Sequence, residues 1–132
     1  MVVVINISLY NKKVVIKVKD MESKSLFDTN KYLILDLDQI SKDNNSKNVK
    51  ALMFKVVKAD TNNDKTLTHR DKFSIFISSI DGSESNEILQ NIQKISRWHF
   101  KNKDEIIMVY KQNDMYYLAN IDLLNLKIKN SK

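Results

Sequence analysis

Apolar and polar residues alternate over short segments along most of the chain. In "KKVVIKVKD", Lys17 and Lys19 alternate with Ile16 and Val18. Successive side chains of a strand point to opposite faces, so the pattern predicts a strand with one aliphatic face and one solvated lysine face. Similar segments recur at intervals of about ten residues, as is typical of antiparallel β proteins. The chain is therefore predicted to be all-β, built from antiparallel blade-like sheets.

The predicted strands are rich in β-branched and aromatic residues, and clusters of Asn, Asp, Ser and Lys separate them. Proline is absent and glycine occurs once, so these polar residues must make most of the turns. The segments predicted as strands are "VVVINISLY", "KKVVIKVK", "YLILDLDQ", "VKALMFKVVKA", "KFSIFISSI", "EIIMVYK", "MYYLANIDL" and "LKIKN".

One segment, "SESNEILQNIQKISRWHF", has a different spacing. Ile88, Leu89, Ile92 and Ile95 recur at intervals typical of one face of a helix, behind possible caps. A short helix near residues 84–96 is therefore an alternative to a strand. Further along, Trp98 and the residue two places later, Phe100, would share one face of a strand, and we expect them to form a paired core contact.

A twelve-residue window, "DTNNDKTLTHRD" (residues 60–71), has the spacing of a metal-binding loop. A hard divalent cation such as Ca²⁺ takes six to eight oxygen ligands, and the EF-hand loop supplies them from positions 1, 3, 5, 7, 9 and 12. The window lies between two predicted strands, so it would connect a β-hairpin and not two helices. The residues at the six ligand positions are Asp60, Asn62, Asp64, Thr66, Thr68 and Asp71.

An alternative for the same window needs no ion. Asn and Asp side chains accept hydrogen bonds from nearby backbone N–H groups, so a hairpin connection rich in these residues can stabilise itself. Two observations favour a metal loop: the ligand spacing is complete at six positions, and Leu67 holds the eighth position, where EF-type loops carry an inward-pointing aliphatic residue.

The segment "ADTNNDKTLTHRDKFSIFISSIDGSE" resembles the pattern D-x-N-x-D-G-x-L-x-x-x-D, strand, D-x-D-G of uncharacterised bacterial TolB-like β-propeller proteins. In that family the segment joins the second and third strands of a blade. The flanking segments match only as strand patterns of neighbouring blades. The resemblance implies an exported or periplasmic, calcium-stabilised scaffold, although "MVVVINISLY" has no features of a signal peptide.

The chain departs from the family pattern in two ways. Lys65 replaces the glycine at the sixth loop position, which usually needs a positive φ, and a lysine there costs on the order of 1 kcal/mol. Together with Arg70 it also offsets two of the loop's three carboxylates, so Ca²⁺ binding should be weak. The predicted strands make about two four-stranded blades, too few to close a propeller, so a small sandwich is the alternative.

The length of 132 residues, with 42% hydrophobic and 29% charged residues, predicts one compact domain, 1–132. Within it we expect an N-terminal hairpin (1–20) and two blade-like units (25–92 and 96–130). Cysteine is absent, which excludes disulfides and thiolate metal sites. The chain has no apolar run long enough to span a membrane.

The net charge of +6 raises the question of a nucleic-acid partner. The lysines lie on solvated strand faces, only two arginines occur, and no aromatic–basic interleave is visible along the chain, so we expect no nucleic-acid binding. A protein partner is expected instead. The N-terminal edge, Val2 to Ile5, is apolar and should be covered by the C-terminal "LLNLKIKN" or by a second copy in a homodimer.

The sequence contains no glycine-rich phosphate loop, no G-x-S-x-G elbow and no histidine with a readable partner set. The leading hypothesis is therefore a non-catalytic β-scaffold or protein-interaction module in which Ca²⁺ rigidifies the loop of residues 60–71. The alternative is a small carboxylate-dependent hydrolase acting on a glycan or similar substrate. It rests on Asp36 and Asp38, which would share one strand face.

Overall fold

The protein is built from antiparallel β-strands. The structure, a computed structural model, describes residues 5–10, 13–18, 24–25, 32–42 and 49–130. These residues contain no helix, and hence none that is long and apolar enough to cross a membrane. The strands are β1 (Ile5–Tyr10), β2 (Lys13–Val18), β3 (Lys24–Ser25), β4 (Leu33–Ser41), β5 (Val49–Val57), β6 (Phe73–Ser78), β7 (Ser85–Ile92), β8 (Lys94–Asn102), β9 (Glu105–Gln112), β10 (Met115–Asp122) and β11 (Lys127–Asn130).

The strands form one three-stranded sheet, β1-β2-β3, and two four-stranded sheets. We call β4-β5-β6-β7 the first sheet and β8-β9-β10-β11 the second sheet. Every strand within them pairs antiparallel with its neighbour in the sequence. Neither four-stranded sheet closes into a barrel, so the prediction of an all-β chain with blade-like or sandwich-like sheets is confirmed. Whether residues 1–132 form one domain stays a prediction.

The main apolar cluster contains residues from both four-stranded sheets. Met53, Ile75 and Ile77 come from the first sheet, and Ile106 and Met108 come from the second. Each of them is at most 1% exposed. Burying such a side chain stabilises a protein by about 1.5–3 kcal/mol. Alternate residues of these strands form the shared core, as the period of two in the sequence predicts.

A second, smaller cluster lies on the opposite face of β5. Leu52, Phe54 and Val56 alternate with the core residues and are also completely buried. Five partly buried residues pack around them: Tyr32, Ile34, Leu37, Val49 and Phe76. A strand buried on both faces has a nearly continuous apolar sequence, which explains the run "ALMF" at residues 51–54.

The alternative of a short helix near residues 84–96 is wrong, because this segment forms β7 and the start of β8. The helix-like spacing has a structural cause. β7 carries extra residues relative to β6: Phe73 pairs with Ile92, whereas Ile75 pairs with Leu89. Asn91, in this bulge, has a φ of 55°. A bulge interrupts the alternation of faces, so consecutive core residues lie three apart.

Two further expectations concern the strand ends and the aromatic pair. Val2 to Val4 lie outside the described residues, while Ile5 pairs with Val18 of β2. The C-terminal strand β11 pairs with β10 and is not the partner of Ile5.

Trp98 and Phe100 do share one face: their rings meet edge to face at 6.2 Å between centroids, and both pack against the main core. The predicted core contact is confirmed.

Candidate metal centre

The loop of residues 60–71 connects β5 to β6, as the sequence predicts. Residues 61–66 are exposed, whereas Leu67 is partly buried and packs against the main core. The eighth position of the window is therefore an inward-pointing aliphatic residue. This contact attaches a largely exposed loop to the main core. The two strands that flank the loop also contribute residues to that core.

The three aspartates of the window converge. Asp60, Asp64 and Asp71 each place a carboxylate oxygen within 4.8 Å of the others. Two oxygens bound to one Ca²⁺ at 2.3–2.6 Å can lie at most about 5 Å apart, so this separation fits a shared cation. The charges of three carboxylates this close repel one another, and a divalent cation would relieve that repulsion. The group could hold a metal ion.

Asp71 closes the loop from the twelfth position. Its Oδ1 accepts hydrogen bonds from the backbone N–H groups of Thr61 (2.9 Å) and Asn62 (3.3 Å), and its Oδ2 accepts one from Thr68 N–H (2.9 Å). The side chain is buried, with 3% of the residue exposed. The bond from Thr68 N–H, joined by those from residues 61 and 62, lowers the pKa of Asp71 despite the opposing effect of burial. The carboxylate is therefore held ionised.

The first half of the loop is held by side chain–backbone hydrogen bonds. Asp60 Oδ2 accepts from Lys65 N–H (2.8 Å), Asn62 Oδ1 from Asp64 N–H (3.2 Å), and Asp64 Oδ1 from Thr66 N–H (3.0 Å). These are the Asx-type bonds of the ion-free alternative. These hydrogen bonds do not use all the oxygen lone pairs of the aspartates, because each carboxylate has about four lone-pair sites. Within the described part of the chain, Asp64 Oδ2 accepts no hydrogen bond.

The sixth position has the backbone geometry that usually requires glycine. Lys65 has a φ of 69°, and Asn63 has a φ of 60°. Asparagine tolerates this left-handed region, whereas lysine carries a steric penalty of about 1 kcal/mol or more. The prediction that this position needs a positive φ is confirmed. The bond from Lys65 N–H to Asp60 stabilises the strained conformation.

The two predicted threonine ligands use their hydroxyls within the loop. Thr66 Oγ1 donates to Asp64 Oδ1 (3.2 Å), and Thr68 Oγ1 accepts from Arg70 N–H (3.2 Å). In an EF-hand loop the seventh position supplies a backbone carbonyl and the ninth often acts through water, so neither hydroxyl has to bind the ion directly. The three aspartates are thus the part of the predicted set whose convergence the structure describes.

Thr61 is a structural residue of the loop that the sequence reasoning missed. Its Oγ1 accepts a hydrogen bond from Lys72 N–H (2.8 Å) and lies 3.4 Å from Asp71 Oδ1, joining the two ends of the loop. Position 2 is not a ligand position, so the ligand pattern gave no reason to select it. A threonine beside the first aspartate, able to form such local bonds, was the available signal.

The acidic pair Asp36 and Asp38 lies on one face of the edge strand β4, as predicted. Both face the side of β5 that contributes Met53 to the core, and Asp36 Oδ2 lies 3.8 Å from Lys55 Nζ. Burial raises the pKa of Asp38, and the negative charge of Asp36 raises it further. His69 and His99 are exposed.

Comparison with protein-family models, curated protein sequences and solved structures found no match for this chain. The resemblance to TolB-like propellers therefore stays a prediction, supported by the loop pattern and the blade-like sheets alone.

Proposed function

We propose that the chain is a non-catalytic β-scaffold in which the loop of residues 60–71 binds a divalent cation, with Ca²⁺ as the expected ion. The observation that carries the proposal is the convergence of Asp60, Asp64 and Asp71 within 4.8 Å. Carboxylate oxygens are the ligands that Ca²⁺ prefers, and the flexible coordination of this ion tolerates an incomplete set completed by water.

The bound ion would act on the hairpin between β5 and β6. Asp64 lies in the exposed part of the loop, Asp60 is partly buried, and Asp71 is buried at the base of the loop. One cation shared by the three would tie the exposed part to the base and thereby order the connection. The rigid hairpin end is then available to a protein partner. Lys65 and Arg70 reduce the negative charge of the loop, so the affinity should be in the weak range known for extracellular calcium modules.

Thermal unfolding with added CaCl₂ tests this proposal, with NaCl at equal ionic strength as the salt control. Ligand binding to the folded state alone stabilises it by RT ln(1 + [L]/Kd), about 1.4 kcal/mol at a tenfold excess over Kd. Asp64→Asn should abolish the response, because it removes one carboxylate charge while keeping the acceptor for Thr66 N–H.

The matched control is Glu84→Gln, which also removes one charge, from an exposed carboxylate in the turn between β6 and β7. This variant should respond to Ca²⁺ as the unmodified chain does. An unmodified chain that Ca²⁺ does not stabilise beyond NaCl would contradict the proposal, as would an equal response of the Asp64→Asn variant.

A second candidate function, a carboxylate-dependent hydrolase, rests on the raised pKa of Asp38 beside Asp36. General acid–base hydrolysis of a glycoside uses a pair of carboxyl groups, and a carboxyl group whose pKa is raised is suited to act as the general acid. Release of nitrophenol from chromogenic glycosides, measured between about pH 4 and 7, tests it. Activity should disappear in Asp38→Asn and persist in Asp104→Asn, and the absence of turnover in the unmodified chain would remove this candidate.

A further inference from the structure

The outer face of the second sheet combines cations with apolar side chains. Met108 and Tyr110 of β9 belong to the core, so Val109 and Lys111 point to the opposite side of the sheet. The strand register continues this face into β8 and β10. Lys111 pairs with Lys94 and Tyr116, and Val109 pairs with Arg97 and Leu118. The register therefore forms two rows, each running from a cation on β8 to a large apolar side chain on β10.

The cations of these rows are not neutralised by the described residues. Lys94 and Arg97 are exposed, and neither forms an ion pair with a carboxylate in the described part of the chain. Lys111 Nζ lies 6.0 Å from the centroid of the Tyr116 ring, a cation–π contact that leaves its charge in place. The end of the outer face beside the turn between β9 and β10 is thus positively charged.

Two carboxylates on the same face, Glu105 and Asp122, already have partners. Glu105 contacts Lys101 at 3.6 Å and Lys129 at 3.2 Å, and Asp122 accepts a hydrogen bond from Asn125 Nδ2 at 2.8 Å. Both lie at the opposite end of the strands, where β8 joins β9 and β10 joins β11. The negative charge of the face is therefore separated from the rows that contain Lys94 and Arg97.

The hairpin end of β10 exposes four large apolar side chains in succession. Met115 is 60% exposed, Tyr116 58%, Tyr117 38% and Leu118 46%. Consecutive residues of a strand point to opposite faces, so apolar surface is exposed on both sides of this end. The Asp114 carboxylate in the adjoining turn accepts a hydrogen bond from Gln93 Nε2 at 3.0 Å. We call residues 115–118, together with Lys94, Arg97 and Lys111, the β9–β10 tip.

We propose that the β9–β10 tip binds the surface of an anionic lipid bilayer. A lipid interface can surround a hairpin end that is apolar on both faces without a cleft shaped to receive it. Tyrosine rings, apolar at one end and polar at the other, are favoured at the level of the headgroups. Lysine and arginine side chains beside an anionic membrane each contribute favourable electrostatic energy.

The same observations disfavour two other occupants. A second copy of the chain, docked through the same face, would collect Lys94, Arg97 and Lys111 of both copies in one interface with no carboxylate among the tip residues to offset them, and like charges repel. Single-stranded nucleic acid is bound by stacking bases on aromatic rings that line one groove. Here the two tyrosines of the tip lie on opposite faces of β10, and the ring of Tyr117 stacks on Tyr110 at 5.7 Å between centroids.

Co-sedimentation of the full chain with vesicles tests the proposal. We expect binding to phosphatidylcholine vesicles containing about a third phosphatidylserine, no binding to pure phosphatidylcholine, and weakening at high salt because surface charges are screened. Lys94→Gln and Arg97→Gln should each weaken binding about fivefold, the effect of one basic residue near an anionic surface. The double variant Tyr116→Ser, Leu118→Ser should weaken it further.

The matched control for the apolar substitutions is Leu124→Ser, because Leu124 is also exposed but lies in the turn between β10 and β11, at the other end of the strand. It should bind vesicles like the unmodified chain. Circular dichroism establishes that each variant is folded. The proposal is overturned by absent vesicle binding, by equal binding to both vesicle types, by an equal loss in Leu124→Ser, or by tight oligo(dT) binding that the tip substitutions abolish.

Discussion

The two four-stranded sheets differ in how their central strands are buried. In the first sheet β5 is buried on both faces, through Met53 on one side and Phe54 on the other. In the second sheet β9 buries Met108 in the core, while Val109 on the outer face is only partly buried. The difference indicates that the first sheet carries more of the stability, while the outer face of the second sheet stays more exposed.

The loops of the two sheets show a related difference. Asp71 closes the twelve-residue window within the connection between β5 and β6 and is buried, whereas Asp122 precedes the short turn between β10 and β11 and is partly exposed. Asp122 Oδ1 accepts hydrogen bonds from the N–H groups of Leu124 (2.9 Å) and Asn125 (3.1 Å). Both carboxylates accept hydrogen bonds from backbone N–H groups of their own loop, but of the two only Asp71 lies beside two further carboxylates.

The largest effect should come from the buried strand. We expect Phe54→Ala to lower the free energy of unfolding by about 3–5 kcal/mol, because it leaves a cavity in a completely buried cluster. Val109→Ala, on the partly buried outer face of β9, should cost about 1 kcal/mol or less. Urea denaturation measures both values. Equal losses would show that the sheets do not differ in the proposed way.

The next largest effect should be the loss of stability when Asp71 is replaced, and this loss should depend on pH. Hydrogen bonds from Thr68 N–H and its neighbours lower the pKa of Asp71, so its stabilising contribution is present above the unfolded value, about 3.9, and is lost as pH falls through the lower folded value. Asp71→Asn should therefore destabilise the chain at neutral pH, and the difference from the unmodified chain should shrink in acid. Thermal unfolding between about pH 2 and 7 measures this.

Asp122→Asn provides the comparison, because hydrogen bonds from Asn125 lower the pKa of Asp122 as well. It should show the same pH trend with a smaller loss, since it affects one local turn, and it should leave any stabilisation by Ca²⁺ unchanged. A larger loss in Asp122→Asn than in Asp71→Asn would contradict the importance assigned to the loop of residues 60–71.

The smallest effect should come from backbone strain. Lys65→Gly should stabilise the chain by up to about 1 kcal/mol and strengthen Ca²⁺ binding, because it removes both the steric penalty at a φ of 69° and a nearby cation. Lys65→Gln removes only the charge and so separates the two contributions. Asn113→Gly, at a φ of 51° in the second sheet, should change stability by only a few tenths of a kcal/mol because asparagine tolerates this region. Chemical denaturation and calcium titration measure these differences.

Alternation in the sequence predicted most of the strands, because each strand has one face in a core. It failed at residues 84–96, where a bulge at Asn91 produces a helix-like spacing of apolar residues. It also gave no indication that Tyr117 would be exposed as well as Tyr116, although the two side chains point to opposite faces of β10. The bulge and the exposure of Tyr117 depend on the register between strands and on how far the opposite sheet extends. The pattern of a single strand contains neither.

The candidate site was easier to predict from the sequence than the fold around it, because its residues lie within one twelve-residue window and their spacing matches the ligand positions of an EF-hand loop. Position 6 was expected to need a positive φ because the family pattern that the loop resembles has a glycine there, and Lys65 has a positive φ. The β9–β10 tip could not be predicted from the sequence. Lys94, Lys111 and Tyr116 are separated along the chain, and only the pairing of β8, β9 and β10 brings them into one row.

The pairing of each strand with its sequence neighbour has a consequence for how the chain folds. Only Gln93 separates the last strand of the first sheet from the first strand of the second. Strands that pair with their sequence neighbours are joined by local connections, the longest within the first sheet being residues 58–72. Each sheet therefore has little loop-closure entropy to overcome, and such local topologies fold quickly for β proteins. We expect the first sheet to acquire its hydrogen bonds before the second when the whole chain refolds. Pulse-labelled hydrogen exchange during refolding from urea would detect that order of assembly.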